Sequence, residues 1–93
     1  MTHRMVFRLR NEKYAQWLDK VFSEQHLAKE KTTEGDFAYC GNNSSSFHVV
    51  ALEISENVDL LKNCDKWEWQ EVKNGVVCSR SDGLAHYRRV YGF

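Results

Sequence analysis

The sequence has no excess charge of either sign, few cysteines and no long hydrophobic run. Its 93 residues contain 13 Lys plus Arg and 13 Asp plus Glu, which argues against both a basic nucleic-acid coat and an acidic mimic of nucleic acid. The cysteines, Cys40, Cys64 and Cys78, are odd in number and form no C-x-x-C pair, so neither a disulfide framework nor a zinc knuckle is indicated. Nowhere do about 18 apolar residues run together, and the N-terminus lacks the apolar core of a signal peptide. We therefore expect a cytoplasmic protein that does not enter a membrane.

Glycine is also sparse. Five scattered glycines give no G-x-G-x-x-G and no P-loop pattern, so a nucleotide-hydrolysing site is not indicated. The histidines and cysteines show no metal-ligand spacing, and we predict no cofactor, no metal and no catalytic residue. A small enzyme with a Cys/His site stays a third alternative, for which Cys40, beside a polar loop, or His48 would be the candidate.

The residues that are present predict one globular domain over 1–93, because 42% are hydrophobic and 13% aromatic. Residues 5–10 alternate as a strand with one wet face does. Asn11 can cap a long helix that fades near residues 29–31, and its apolar stripe is Tyr14, Trp17, Leu18, Val21 and Phe22. Strands are predicted at 36–41 and 47–54, followed by a short helix within 55–64.

The C-terminal third carries two dipeptides suited to type I′ turns, Asn74-Gly75 and Asp82-Gly83. They predict a three-stranded meander with strands near 66–73, 76–81 and 84–92, in which Trp69 lies opposite Arg80. The fold class expected is therefore α+β. A mainly antiparallel sheet of five to six strands carries one long N-terminal helix on its aromatic face and ends in this meander.

The aromatic face of the meander has two interpretations. Rings with interspersed arginines are what a single-stranded nucleic-acid platform needs, and the residues that would form it are Trp67, Trp69, Arg80, Tyr87 and Arg89. The same face can instead be the core under the long helix, whose apolar stripe must be buried on something. We favour the core, because the opposite face of the meander is the more polar one.

The middle of the chain, residues 32–65, holds six acidic residues and one lysine. Such a segment can be ordinary solvated surface, or it can dock one charged partner although the net charge is zero. It contains the polar loop at 41–46, and loops on a rigid sheet are where recognition residues tend to lie. The predicted partner-binding residues are Asn42, Asn43, Glu53, Glu56 and Asp59.

These observations favour a small, non-enzymatic regulatory protein that binds a macromolecule, with a protein favoured as the partner, and inhibits or adapts it. The absence of a catalytic constellation is the main reason. A phage or bacterial accessory factor is a context that such a chain would suit. A single-stranded RNA-binding or DNA-binding module is the alternative function.

Overall fold

A computed structural model of the protein describes residues 1–31 and 36–92. Along the chain, its elements are β1 (Thr2–Leu9), α1 (Lys13–Glu24), β2 (Ala28–Lys31), β3 (Phe37–Gly41), α2 (Ser44–Glu56), α3 (Val58–Lys62), β4 (Cys64–Lys73), β5 (Val76–Asp82) and α4 (Gly83–Tyr91). The strands form one five-stranded sheet in the order β2-β3-β1-β4-β5, and every neighbouring pair is antiparallel. The predicted α+β class and antiparallel sheet are confirmed.

Two split β-α-β units build the sheet. The unit β1-α1-β2 leaves room for β3 between its two strands, and the unit from β3 through α2 and α3 to β4 encloses β1 in the same way. Strand β5 and helix α4 extend this arrangement at one edge. Since unrelated activities share such topologies, the fold alone assigns no function.

The helices cover the aromatic face of the sheet. On β1, the side chains of Met5 and Phe7 point into the core, whereas Arg4, Val6 and Arg8 point to the other face. Helices α1, α2, α3 and α4 each contribute to this core, with Phe22, Val50, Leu60 and Leu84 among their buried residues. The opposite face, on which no helix of the described residues packs, is called the open sheet face below.

The start of the long helix is confirmed, but its end is not. The backbone N–H of Lys13 donates to Asn11 Oδ1 at 3.0 Å, as a cap should. Helix α1 ends at Glu24, and His26 has a φ of 58°, a left-handed conformation that stops a helix. The residues expected to fade out of the helix instead form β2.

The predicted strand at 47–54 is wrong, because these residues lie in helix α2. Phe47, Val50 and Ile54 are fully buried and follow a spacing of three and four residues, which is the helical period. The side chain of Asn43 caps this helix by accepting a hydrogen bond of 2.9 Å from the N–H two residues later. The strand was predicted because His48, Val50, Leu52 and Ile54 alternate with other residues. A helix with apolar side chains on more than one side gives the same pattern.

The third strand of the predicted meander is also wrong, because residues 84–92 contain helix α4. Asp82 does not enter a hairpin turn, and its Oδ1 instead accepts from the next helix's N–H groups at 2.9 and 3.3 Å. Leu84 and Tyr87 pack one helical turn apart against the core. Gly92, with a φ of 75°, ends the helix in the left-handed conformation that glycine tolerates.

The first hairpin of the C-terminal third is confirmed, whereas its register is right only next to the turn. Asn74 and Gly75 have φ angles of 52° and 77°, as a type I′ turn requires. A β-bulge then adds one residue on β5, so Trp69 pairs with Ser81 instead of with Arg80. The shift turns Arg80 to the open sheet face.

Candidate functional site

An open groove lies between α1 and the junction of α2 with α3. It encloses about 640 Å³. We call it the acidic groove, and its lining residues are Trp17, Lys20, Val21, Glu24, Glu53, Glu56, Asn57, Val58 and Asp59. The three predicted partner-binding carboxylates are therefore brought together, and α1 adds a fourth.

Local sequence explains why these side chains meet. Trp17 and Glu24 are seven residues apart on α1 and so share one face of that helix. The N–H of Asn57 donates to Ile54 O at 3.0 Å, which ends α2, and its side-chain oxygen accepts from the N–H of Leu60 at 3.1 Å, which starts α3. This break in the helix places Asp59 beside the end of α2.

The carboxylates of the acidic groove lack ion-pair partners among the described residues. Within the described ranges, Glu24, Glu53, Glu56 and Asp59 take part in no ion pair, and Lys20 is the one cation among the lining residues. Three of the four carboxylates also lie near helix C-termini, where the helix dipole disfavours negative charge. The groove therefore concentrates negative charge that the described fold does not neutralise.

An exposed apolar stripe adjoins the groove on the outer surface of α2. Val49 is 42% exposed and Leu52 is 65% exposed. With Glu53 and Glu56 they follow the i, i+3, i+4, i+7 spacing of one helix face. Apolar and acidic side chains therefore lie next to each other on one solvent-facing surface.

Asn42 and Asn43, the other predicted partner-binding residues, lie at the opposite end of α2. A helix of 13 residues is about 20 Å long, so these amides are far from the acidic groove. The side chain of Asn43 caps α2, and Asn42 Oδ1 accepts a hydrogen bond of 3.3 Å from Thr2 Oγ1. The structure thus brings three of the five predicted residues together and gives the two asparagines local structural contacts.

Sequence reasoning missed Trp17 and Glu24 as groove residues. It placed Trp17 in the apolar stripe of the long helix and gave Glu24 no role. Trp17 does pack against the core, but it is only half-buried and also lines the groove. The seven-residue spacing within α1 was the available signal, and it gained meaning only once α3 was placed opposite.

The aromatic residues of the nucleic-acid alternative lie under or beside the helices. Trp67 is 4% exposed and stacks on Tyr87 of α4 with ring centroids 5.8 Å apart. Trp69 is half-buried, and the ring of His48 lies edge-on to it, with the ring centroids 4.9 Å apart. These rings contribute to the core, but α4 and α2 lie against them, whereas the favoured interpretation placed the long N-terminal helix there.

The two arginines of that alternative lie elsewhere. Arg80 is on the open sheet face, with Nη1 3.0 Å from Glu68 Oε1, and Arg89 is on the exposed surface of α4. The five residues proposed as a stacking platform therefore share no common surface in this structure.

The open sheet face carries a network of paired charges. Arg4 Nε lies 2.7 Å from Glu30 Oε1. Glu68 Oε1 accepts hydrogen bonds from both Arg80, at 3.0 Å, and Gln70 Nε2, at 2.6 Å. Side chains of opposite charge on neighbouring strands stabilise a sheet in this way.

Asp36 is the most buried acid in this network, at 4% exposed. Arg8 donates to both of its carboxylate oxygens, at 2.9 and 3.2 Å, and Lys66 Nζ lies at 3.4 Å. Burial by itself would raise the pKa of Asp36, but the hydrogen bonds and charges of Arg8 and Lys66 outweigh it and hold that pKa below its ordinary value.

The candidates for a Cys/His site are separated by the sheet. Cys40 lies opposite Arg4 on the open sheet face. The pKa of its thiol is raised, mainly by burial and secondly by the negative charge of Glu30. His48 is on α2, on the other side of the sheet, where it borders a second cavity of about 370 Å³. In the described part of the chain, His, Cys, Asp and Glu side chains form no group of three or more that could hold a metal ion.

Comparison of the chain with protein-family models, with curated proteins and with solved structures finds no match. None of the helices in residues 1–31 and 36–92 is long and apolar enough to cross a membrane.

Proposed function

We propose that this protein is a non-enzymatic binding module that docks a basic, partly apolar segment of a partner protein in the acidic groove, and that it inhibits or adapts that partner. The observation that carries the proposal is the convergence, around one open groove, of four carboxylates from α1, α2 and α3 that have no ion-pair partner within residues 1–31 and 36–92. Lysine and arginine side chains of the partner would supply the missing counter-charges.

Electrostatics favour a charged partner because exposed like charges gathered in a concavity focus the local field. Such a field mainly accelerates encounter, and exposed pairs are screened beyond about 8–10 Å at physiological salt. We therefore expect association to be fast at low salt and to slow as salt increases. The final complex needs contacts of another kind as well.

The apolar part of the surface supplies these contacts. Leu52 and Val49 are exposed on α2 beside Glu53, and large exposed apolar side chains next to polar ones are typical of protein interfaces. Trp17 lines the groove itself, where a partner's cationic side chain could lie over its ring. The partner segment that fits best carries apolar side chains along one face and basic side chains along the neighbouring face, as an amphipathic helix does.

Helix stability supports a role in binding. Glu53 and Glu56 at the end of α2, and Glu24 at the end of α1, oppose the helix dipoles, and each such placement destabilises a helix by about 0.3–1 kcal/mol. A chain that retains locally unfavourable residues commonly does so at functional surfaces.

We further propose that the protein acts in the cytoplasm. Cys40, Cys64 and Cys78 are all free and lie in different environments, one half-buried, one buried and one exposed. Free thiols favour a reducing compartment. Labelling of the exposed thiol of Cys78 in intact and in lysed expressing cells would test the redox state directly.

The binding proposal is tested with a defined peptide. The probe is a synthetic amphipathic helix with leucines on one face and lysines on the other, and the same helix with glutamates replacing the lysines is the control ligand. Calorimetry should detect binding of the lysine peptide alone, and amide chemical shifts should move at residues 17–24 and 49–59. We expect Glu56→Lys and Leu52→Ser each to weaken binding at least about fivefold.

Two matched variants control for net charge and for lost apolar surface. Glu12→Lys makes the same charge change at an exposed position outside the groove, and Val90→Ser removes a side chain that is 61% exposed on α4. Both should bind the peptide as the unmodified protein does. Equal weakening by the control and groove variants, or equal binding of the acidic peptide, would rule out the groove as the docking site.

A further inference from the structure

A third cavity, positively charged where the acidic groove is negative, lies where the end of β1 meets α3 and α4. It has a volume of about 330 Å³, and its lining residues are Arg10, Leu61, Lys62, Cys64 and Arg88. Three cationic side chains from three separate segments therefore surround one recess. Leu61 and Cys64, each 1% exposed, contribute its apolar lining.

The positive charge of this cavity is only partly compensated. Arg10 Nε lies 2.7 Å from Asp65 Oδ1, and Arg10 Nη1 donates to the backbone oxygen of Lys62 at 3.4 Å. These two contacts fix the guanidinium at the rim. Over the ranges that the structure describes, neither Lys62 nor Arg88 forms an ion pair, so two positive charges lack a counter-ion.

The thiol of Cys64 does not supply that counter-ion. Its Sγ donates to Lys66 O at 2.9 Å, and burial raises its pKa to about 11 despite the nearby charge of Arg88. The sulfur is therefore a neutral group at physiological pH. Like charges that converge without a counter-ion repel one another, and an anion that binds between them offsets that repulsion.

We propose that this cavity binds a phosphate dianion, either inorganic phosphate or the phosphate group of a small phosphomonoester. Two charges on the ligand match the two uncompensated cations, and guanidinium groups donate paired hydrogen bonds to phosphate oxygens. A recess of this volume holds several water molecules and so has room for a phosphate with a small substituent. The backbone of a nucleic acid would need an extended basic stripe instead, which a local recess does not provide.

The proposal concerns a site separate from the acidic groove. Asp59 on α3 lines the groove, whereas Lys62 on the same short helix lines this cavity. The basic peptide and the phosphate are therefore expected at different sites. Either ligand can fail to bind without affecting the test of the other.

The experiment is a chemical-shift titration of the folded protein with inorganic phosphate and with phosphoserine, at an ionic strength held constant with chloride. We expect saturable shifts at residues 61–65 and 84–92, with dissociation constants of about millimolar. Acetate, a monoanion, should bind at least about fivefold more weakly. Arg88→Gln and Lys62→Gln should each weaken phosphoserine binding by about the same factor and leave the melting temperature nearly unchanged, because both side chains are exposed.

Arg89→Gln is the matched control, since it removes the same charge from the next residue of α4, which does not line the cavity. It should change phosphoserine binding less than about twofold. Shifts that do not saturate, or equal effects of the two arginine variants, would overturn the proposal. Tighter binding of a mixed-sequence oligonucleotide at the same residues would overturn it in favour of a nucleic-acid surface.

Discussion

Carboxylates on the open sheet face and carboxylates in the acidic groove have the same chemistry but different surroundings. On the sheet, Glu30 and Glu68 lie 2.7 and 3.0 Å from guanidinium nitrogens, and Asp36 has both Arg8 and Lys66 as partners. In the groove, Glu53 and its acidic neighbours have no ion-pair partner in the described chain. A net charge of zero conceals this difference, because cations elsewhere on the molecule balance the uncompensated carboxylates of the groove.

The comparison indicates which charges hold the fold together and which are available to a partner. Paired charges across neighbouring strands contribute to the sheet, whereas unpaired charges at helix ends contribute nothing to it and slightly oppose it.

The largest effect is expected at Asp36. Asp36→Asn keeps the shape of the side chain but leaves Arg8 and Lys66 without their shared carboxylate, and we expect it to destabilise the protein by about 1–3 kcal/mol. Urea denaturation measures this. Asp65→Asn, which removes a carboxylate of an exposed pair with Arg10, should lower stability by less than about 1 kcal/mol. Equal losses of stability in the two variants would mean that the buried ion pairs of Asp36 contribute no more than the exposed pair of Asp65.

The contribution of Asp36 to stability should also depend on pH. The pKa of Asp36 is lowered from the ordinary value of 3.8, so its contribution is fully present above that value and is lost as pH falls through the lower pKa of the folded state. The unmodified protein should therefore lose more stability between neutral and strongly acidic pH than Asp36→Asn does. Parallel pH profiles of unfolding free energy would contradict the assignment.

Removing the carboxylate of Glu68 should lower stability less than removing that of Asp36, and more than removing any carboxylate of the groove. Glu68→Ala removes the acceptor shared by Arg80 and Gln70, and Gln70 is only 5% exposed. We expect a loss of about 0.5–1.5 kcal/mol. Thermal unfolding followed by circular dichroism measures it. In a double-mutant cycle, Arg80→Ala should lower stability less in the Glu68→Ala background than in the unmodified protein. Additive effects of the two substitutions would show that they do not interact.

The smallest effect should have the opposite sign. Glu53→Gln with Glu56→Gln removes repulsion among the groove carboxylates and relieves the end of α2, so stability should rise by a few tenths of a kcal/mol. Glu12→Gln, at the start of α1 where negative charge is favourable, should lower stability slightly instead. A drop in stability for the groove variant would indicate a structural role for these glutamates.

Sequence patterns predicted the sheet better than the helices of the C-terminal half. The period-two alternation around Phe7 and the Asn74-Gly75 turn are local signals, and each depends on a few neighbouring residues. Asp82-Gly83 is compatible with a hairpin turn and with a helix start, and in the structure Asp82 caps α4, whose apolar side packs on Trp67. Long-range packing of this kind is absent from a local pattern.

The candidate site was predicted in part for a related reason. Glu53, Glu56 and Asp59 are close in sequence, so their clustering follows from the acidic composition of that segment. Trp17 and Glu24 join them only because α1 lies beside the junction of α2 with α3, and this contact is a property of the fold. The register shift at the bulge of β5 was equally invisible, although it decides that Arg80 lies on the open sheet face.

The stability and the peptide affinity of the Glu53→Gln, Glu56→Gln variant, measured together, distinguish a binding surface from a structural one. If the acidic groove is a binding surface, this variant should be slightly more stable than the unmodified protein and should bind the leucine–lysine peptide at least about fivefold more weakly. Unchanged peptide affinity together with lower stability would contradict the account, because it would assign these glutamates to the fold and leave the groove without a partner.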